Sequence, residues 1–124
     1  MALRARGNEL FKDGSFEEAV ATYSRAIEEE GDSAALRSNR SAASVGLKHF
    51  AAALEDADAA LSLQPGWSKA FYRRGVALEA LSRLPEAAAA FREGTLAANT
   101  ESEKAACSEC EDAIHRKRAR PIVQ

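Results

Sequence analysis

The stretch SKAFYRRGVALEALSRLPEAAAAFREGTLA, residues 68–97, decides how the chain folds. It reads as two helices, Ser68 to Leu81 and Leu84 to Ala97. In the second, Ala87 and Phe91 stand four apart and so share one face. In the first, Gly75 is small enough for another helix to approach its backbone closely.

The same pattern occurs twice more, upstream, at a spacing of 34 residues. Ala19, Ala53 and Ala87 keep that spacing, as do Phe16, Phe50 and Leu84. So do Gly7, Ser41 and Gly75, and Ala26, Ala60 and Gly94. Gly31, Pro65 and Asn99 place a helix-stopping residue at one further phase. Three copies of a helix pair therefore fit without insertion or deletion, over about 1–33, 34–67 and 68–99. The small residues let the paired backbones come together, with Tyr23 and Phe91 as their bulky partners. The middle copy has only Ala57 at that phase, which predicts looser filling there. The first copy begins one residue before Met1 in this phase, as expected of a domain cut from a larger protein.

This pattern resembles the tetratricopeptide repeat. Phe71-x-x-Arg74-Gly75-x-x-Leu78 followed by Ala87-x-x-x-Phe91 is close to the family signature, with Arg74 departing at a Leu position. The first copy has Leu3-x-x-Arg6-Gly7-x-x-Leu10 and Ala19-x-x-x-Tyr23; the middle copy is the most degenerate. The resemblance covers about residues 1–100. It implies an all-α, right-handed superhelical solenoid of three helix pairs. Residues 100–118 read as a seventh helix that caps the last pair, opened by a capping box of Thr100 and Glu103. Its cationic end, HRKRAR, suits a helix C-terminus, and 119–124 read as a tail.

Composition narrows the function. Lys and Arg number 17 against 19 Asp and Glu, a net charge of −2, which argues against binding nucleic acid by bulk charge. No apolar run is long enough to span a membrane, and the N-terminal segment does not read as a signal or transit peptide. Two cysteines do not make a secreted disulfide scaffold. The expectation is a cytoplasmic, monomeric domain. Cys107 and Cys110 lack the second ligand pair of a zinc site and read as packing or surface thiols. His49 has no catalytic partner at a recognisable spacing, and no phosphate-binding glycine loop exists. No enzyme, metal or cofactor is expected. Glu28, Glu29 and Glu30 read as a solvated helix end, with a rim meeting a basic partner as the weaker idea.

Asn39, inside SNRSAA (38–43), is a mediocre helix former placed within a helix. In a curved stack of helix pairs the first helix of each pair lines the inner wall. On those helices the phases gather Arg4 and Asn8, then Asn39, then Lys69 and Arg73. Arg4 and Asn8 are four apart on one face, as are Lys69 and Arg73. Lys and Arg are donors only, and each Asn amide adds two donors. Such a set suits an acceptor-only, multiply charged ligand, and a chain-terminal Asp carries two carboxylates. Arg40 and Arg74 share another phase and read as structural or rim residues.

These five residues resemble the dicarboxylate clamp of co-chaperone tetratricopeptide domains, and the surrounding GNELF, SNRSAA and SKAFYRRG are similar to the first repeat block of the heat-shock organising protein. The family has Lys, Asn, Asn, Lys and Arg at these places, so only Arg4 departs. A planar guanidinium is not a compact ammonium, and the grip there is expected to differ. The resemblance implies binding of the acidic C-terminal Glu-Glu-Val-Asp tail of heat-shock protein 90 or heat-shock protein 70. It further implies a groove lined by Phe11, Ala42, Val45, Val76, Glu79 and Ala80. The alternatives are an assembly scaffold for a non-chaperone partner and a targeting domain of a larger enzyme.

Overall fold

The structure is a computed structural model that describes residues 2–119. The helices are α1 (Leu3–Lys12), α2 (Phe16–Glu30), α3 (Ala34–Gly46), α4 (Phe50–Leu63), α5 (Ser68–Ala80), α6 (Leu84–Ala97) and α7 (Glu101–Ala119). No strand occurs among the described residues. Local chemistry sets several boundaries. Ser33 caps α3 by accepting from Leu36 N at 3.0 Å, and Pro85 sits in the first turn of α6, where no helical N–H is lost. Thr100 accepts from Glu103 N at 3.1 Å. The reciprocal bond of the expected capping box moves one residue upstream, with Asn99 N donating to the Glu103 carboxylate at 3.2 Å. Helix α7 runs through Ala119, one residue into the segment read as a tail; 120–124 lie outside the described residues.

Neighbouring helices pack in chain order, and the contacts beyond neighbours show which way the stack curves. Helix α3 touches α1 and α5, and α5 also touches α7, whereas α2, α4 and α6 do not touch one another. The odd-numbered helices therefore line the inside of the curve. Helix α7 takes the inner place that a fourth first helix would take.

The glycines at the two outer copies are needed for close approach. A Cβ on Gly7 would lie 2.5 Å from the Tyr23 ring, and one on Gly75 would lie 2.5 Å from the Phe91 ring. Both rings are buried, so neither can retreat. The middle copy is filled by exchange. Ser41 brings a side chain where the others have none, opposite the small Ala57, and its hydroxyl donates to Ala53 O at 2.8 Å. Ser41, Ala53 and Ala57 are each 0% exposed. The copy is further held by Asp56, a buried carboxylate taken by Arg40 through two bonds of 2.8 and 2.7 Å and by Arg37 at 3.2 Å. Arg37 also forks onto Asp32, which holds that carboxyl below its ordinary range. Arg74 meets Asp58 at 2.7 Å. Arg40 thus holds a buried carboxylate, while Arg74 makes a surface pair at the rim.

Cys107 is buried against Ser68 and Gly94, where a Cβ would lie 2.5 Å from its sulfur. The absence of a side chain at Gly94 lets α7 seat on α6. Burial pushes both the Cys107 and Cys110 thiols up, away from the reactive thiolate form. Both are packing residues. His49 is exposed at the N-cap of α4 and makes no side-chain cap bond.

Candidate functional site

Four of the five expected residues meet at one place. Asn8 of α1, Asn39 of α3, and Lys69 and Arg73 of α5 border a cavity of about 370 Å³ on the inner face. Tyr23 of α2, Phe11, Lys12 and Ala42 complete its wall. Helical spacing explains the convergence: Asn8 and Lys12 are four apart, Asn39 and Ala42 three apart, and Lys69 and Arg73 four apart. Arg4 does not line the cavity; it is exposed one turn before Asn8, near enough that its charge acts on Tyr23 and Lys69.

Asn8 is oriented by the protein itself. Its Oδ1 accepts from the Tyr23 hydroxyl at 2.6 Å and from Asn39 Nδ2 at 3.3 Å. With the oxygen taken by two donors, the Asn8 amide retains its N–H groups for a ligand. Tyr23 reaches this point because its ring lies over Gly7, the residue before Asn8. Burial raises the Tyr23 hydroxyl against the lowering pull of Arg4 and Arg73, so it stays protonated and a donor.

The site holds uncompensated positive charge. Among the described residues no carboxylate lies within ion-pair distance of Arg4, Lys69 or Arg73. Burial lowers Lys69 first, and the charges of Arg73 and Arg4 lower it further. Burial likewise lowers Arg73, whose Nε is buried without a hydrogen-bond partner and whose guanidinium stands 5.6 Å from the Tyr72 ring centre. Lys69 and Arg4 both sit in first turns, and neither α1 nor α5 has a side-chain cap bond. A cation there opposes the helix dipole. Two helix N-termini and three cations thus give the inner face a positive potential suited to a dianion.

The expected groove residues divide. Phe11 and Ala42 line the cavity. Val45, Val76, Glu79 and Ala80 do not. Val76 is half-buried against the α6–α7 cluster, and Glu79 is paired with Lys117 of α7. A smaller cavity of about 230 Å³ opens between α5 and α7 and shares Lys69 and Arg73 with the first. The sequence reading missed Lys12, although the steps Arg4, Asn8, Lys12 carry it on one face. It also gave Tyr23 a packing role only; no local pattern reveals where a hydroxyl on a different helix will end.

A stack of helix pairs with a donor-rich inner face defines a helical-repeat domain. No protein-family model matches the chain. The chain is 40% identical over 91 residues to the Hsp70-Hsp90 organizing protein of Triticum aestivum, 73% of this chain and 16% of that protein. It superposes on the second TPR domain of the human RPAP3 protein in complex with the HSP70 peptide SGPTIEEVD, with a TM-score of 0.82, 32% identity and 92% of each chain covered. It also superposes on the first TPR of Spaghetti (RPAP3) bound to the HSP90 peptide SRMEEVD, with a TM-score of 0.85 and 30% identity over 95% of this chain and 91% of that one. The chain belongs to the tetratricopeptide-repeat family and is homologous to the TPR domains of RPAP3 and of the organising protein. The chain spans between 4% and 16% of the length of the curated relatives it matches, the lowest share being of the Homo sapiens Tetratricopeptide repeat protein 28.

Proposed function

We propose that this chain is a docking domain that holds the acidic C-terminal tail of heat-shock protein 90, heat-shock protein 70, or both, as part of a co-chaperone. The observation that carries the reading is the convergence of Asn8, Asn39, Lys69 and Arg73 on one uncompensated cavity, with Asn8 pre-oriented by Tyr23. Solved relatives with HSP70 and HSP90 peptides bound support it. The terminal residue of a Glu-Glu-Val-Asp tail offers an α-carboxylate and a side-chain carboxylate, both acceptor-only. Asn8, Asn39, Lys69 and Arg73 supply donors from three helices, and Arg4 adds long-range attraction. Each charge-assisted bond contributes roughly 1.5–3 kcal/mol. Against that stands an association cost of roughly 4 kcal/mol or more, so four such bonds set a dissociation constant no tighter than about micromolar. The domain is organised as repeats over about 1–33, 34–67 and 68–99 with 100–118 as the cap. It acts in the cytoplasm as a monomeric, non-catalytic unit of a larger protein. No helix among the described residues is long and apolar enough to cross a membrane.

Calorimetric titration with a peptide ending in Met-Glu-Glu-Val-Asp tests this, as free acid and as C-terminal amide. The acid binds and the amide does not. Asn39→Ala and Arg73→Ala each abolish binding without loss of helicity. Binding of acid and amide alike, or of neither by folded protein, refutes the clamp and leaves the assembly scaffold. An Ile-Glu-Glu-Val-Asp peptide beside them ranks the two chaperones. Affinity falls as salt rises, because part of it is screened attraction.

A further inference from the structure

The clamp accounts for the terminal residue of a bound tail but not for the far end of the groove. That end involves α7, which carries none of the clamp residues. From Asn8, Asn39 and Lys69 the cavity extends to Phe11, Lys12 and Ala42, toward the C-terminal ends of α1 and α3. Along α5 the same direction leads from Arg73 to Glu79, in the last turn. Helix α7 holds the inner position of the stack beside α5. Tyr72 and Glu79 stand seven apart on one face of α5, and Ala106 and Lys117 stand eleven apart on one face of α7, so the Glu79–Lys117 pair continues the α5–α7 face that lines the smaller cavity. Lys117 Nζ donates to Glu79 Oε2.

We infer that Lys117 is a specificity-determining residue that receives an acidic side chain about three residues before the end of the docked tail. The inference rests on the docking function proposed above. Glu79 lies six positions after Arg73 on α5, an axial rise of about 9 Å at 1.5 Å per helical residue. An extended peptide covers that distance in about three residues at roughly 3.3 Å each. In a Glu-Glu-Val-Asp tail this step lands on the first Glu. Glu79 by itself would repel it. Lys117 reverses the local sign: its ammonium has three donors, Glu79 takes one, and the side chain remains 54% exposed and open to a ligand. Lys12, exposed at the end of α1, adds positive charge on the opposite wall.

A merely structural role for the pair, pinning α7 to α5, makes a different forecast. Lys117→Ala and Glu79→Gln both break the pair. If the pair only pins α7, both weaken peptide binding in the same direction and both lower the melting temperature. If Lys117 receives the tail, they act oppositely. The probes are the free acids ending in Met-Glu-Glu-Val-Asp and Met-Gln-Glu-Val-Asp, titrated by calorimetry into the whole domain. Lys117→Ala weakens binding of the first by about two- to fivefold, the scale of an exposed ion pair, and of the second much less. Glu79→Gln tightens binding of the first by releasing Lys117. Equal effects of Lys117→Ala on both peptides, or weakening by both variants, overturns the inference while leaving the clamp intact. Failure of the unaltered domain to bind either peptide removes the docking function itself.

Discussion

Tyr23→Phe separates the two roles of one side chain. The variant keeps the ring that lies over Gly7 and deletes only the hydroxyl that donates to Asn8 at 2.6 Å. In the free protein the loss is one partly buried neutral hydrogen bond. Asn8 Oδ1 keeps Asn39 as a donor at 3.3 Å, so no acceptor is stranded. The stability cost is therefore about 1 kcal/mol, within the range of about 0.5–1.5 for such bonds. For a domain of this size that lowers Tm by about 3–5 °C. Binding pays separately. Asn8 is then held only by the longer bond from Asn39, and the rest of its ordering falls to the ligand, at up to about 0.5–1.5 kcal/mol for an immobilised side chain. That is roughly a two- to twelvefold weaker Kd. Thermal melting followed by circular dichroism gives the first quantity, and titration of the Met-Glu-Glu-Val-Asp free acid gives the second. A variant that melts a few degrees lower and binds unchanged would refute the reasoning, because Asn8 would then owe its orientation to something other than Tyr23.

Three further outcomes follow from the same geometry. Lys69→Met abolishes peptide binding yet does not lower Tm: burial and two neighbouring cations depress the Lys69 pKa, so its charge opposes folding at neutral pH, and that opposition is relieved only as pH rises past the depressed value. Melting scans at pH 7 check it, and a marked fall in Tm would show that the ammonium has a stabilising partner. Asp56→Asn lowers stability by about 2–4 kcal/mol in chemical denaturation, since two arginines lose the carboxylate that holds α3 to α4; a loss under about 1 kcal/mol would place the strength of the middle copy elsewhere. Ser82→Gly raises stability by about 0.5 kcal/mol, because Ser82 has φ of 62°, a left-handed conformation that glycine adopts without strain; a destabilised variant in the same denaturation assay would contradict this.

The left-handed position shows where the repeat was legible and where it was not. Gly14, Lys48 and Ser82 all have positive φ and lie at one phase of the 34-residue period. Only the first is a glycine, so the turn is hidden in residue type and visible only in spacing. The buried aromatics behave in the opposite way. Tyr23 and Phe91 face Gly7 and Gly75 across a single helix pair, and their residue types alone announce the contact.

Of the candidate site, the sequence determined what lies within one helix or recurs with the period: six paired helices, a seventh in the cap position, and four donors at phases that converge on the inner face. These follow from 3.6-residue periodicity and from close packing of small against large, both local properties. Tertiary structure decided what depends on where separate helices come to rest. It brought the Tyr23 hydroxyl onto Asn8, left Arg4 outside the cavity wall, and enclosed the Arg73 Nε without a partner. It packed Val76 against the cluster of α6 residues with Leu78 and Ile114, and bridged Glu79 to Lys117, 38 residues away. None of these contacts has a period or a spacing to betray it. Each depends on the angle at which one helix crosses another, and that angle is set by side-chain volumes summed over the whole stack.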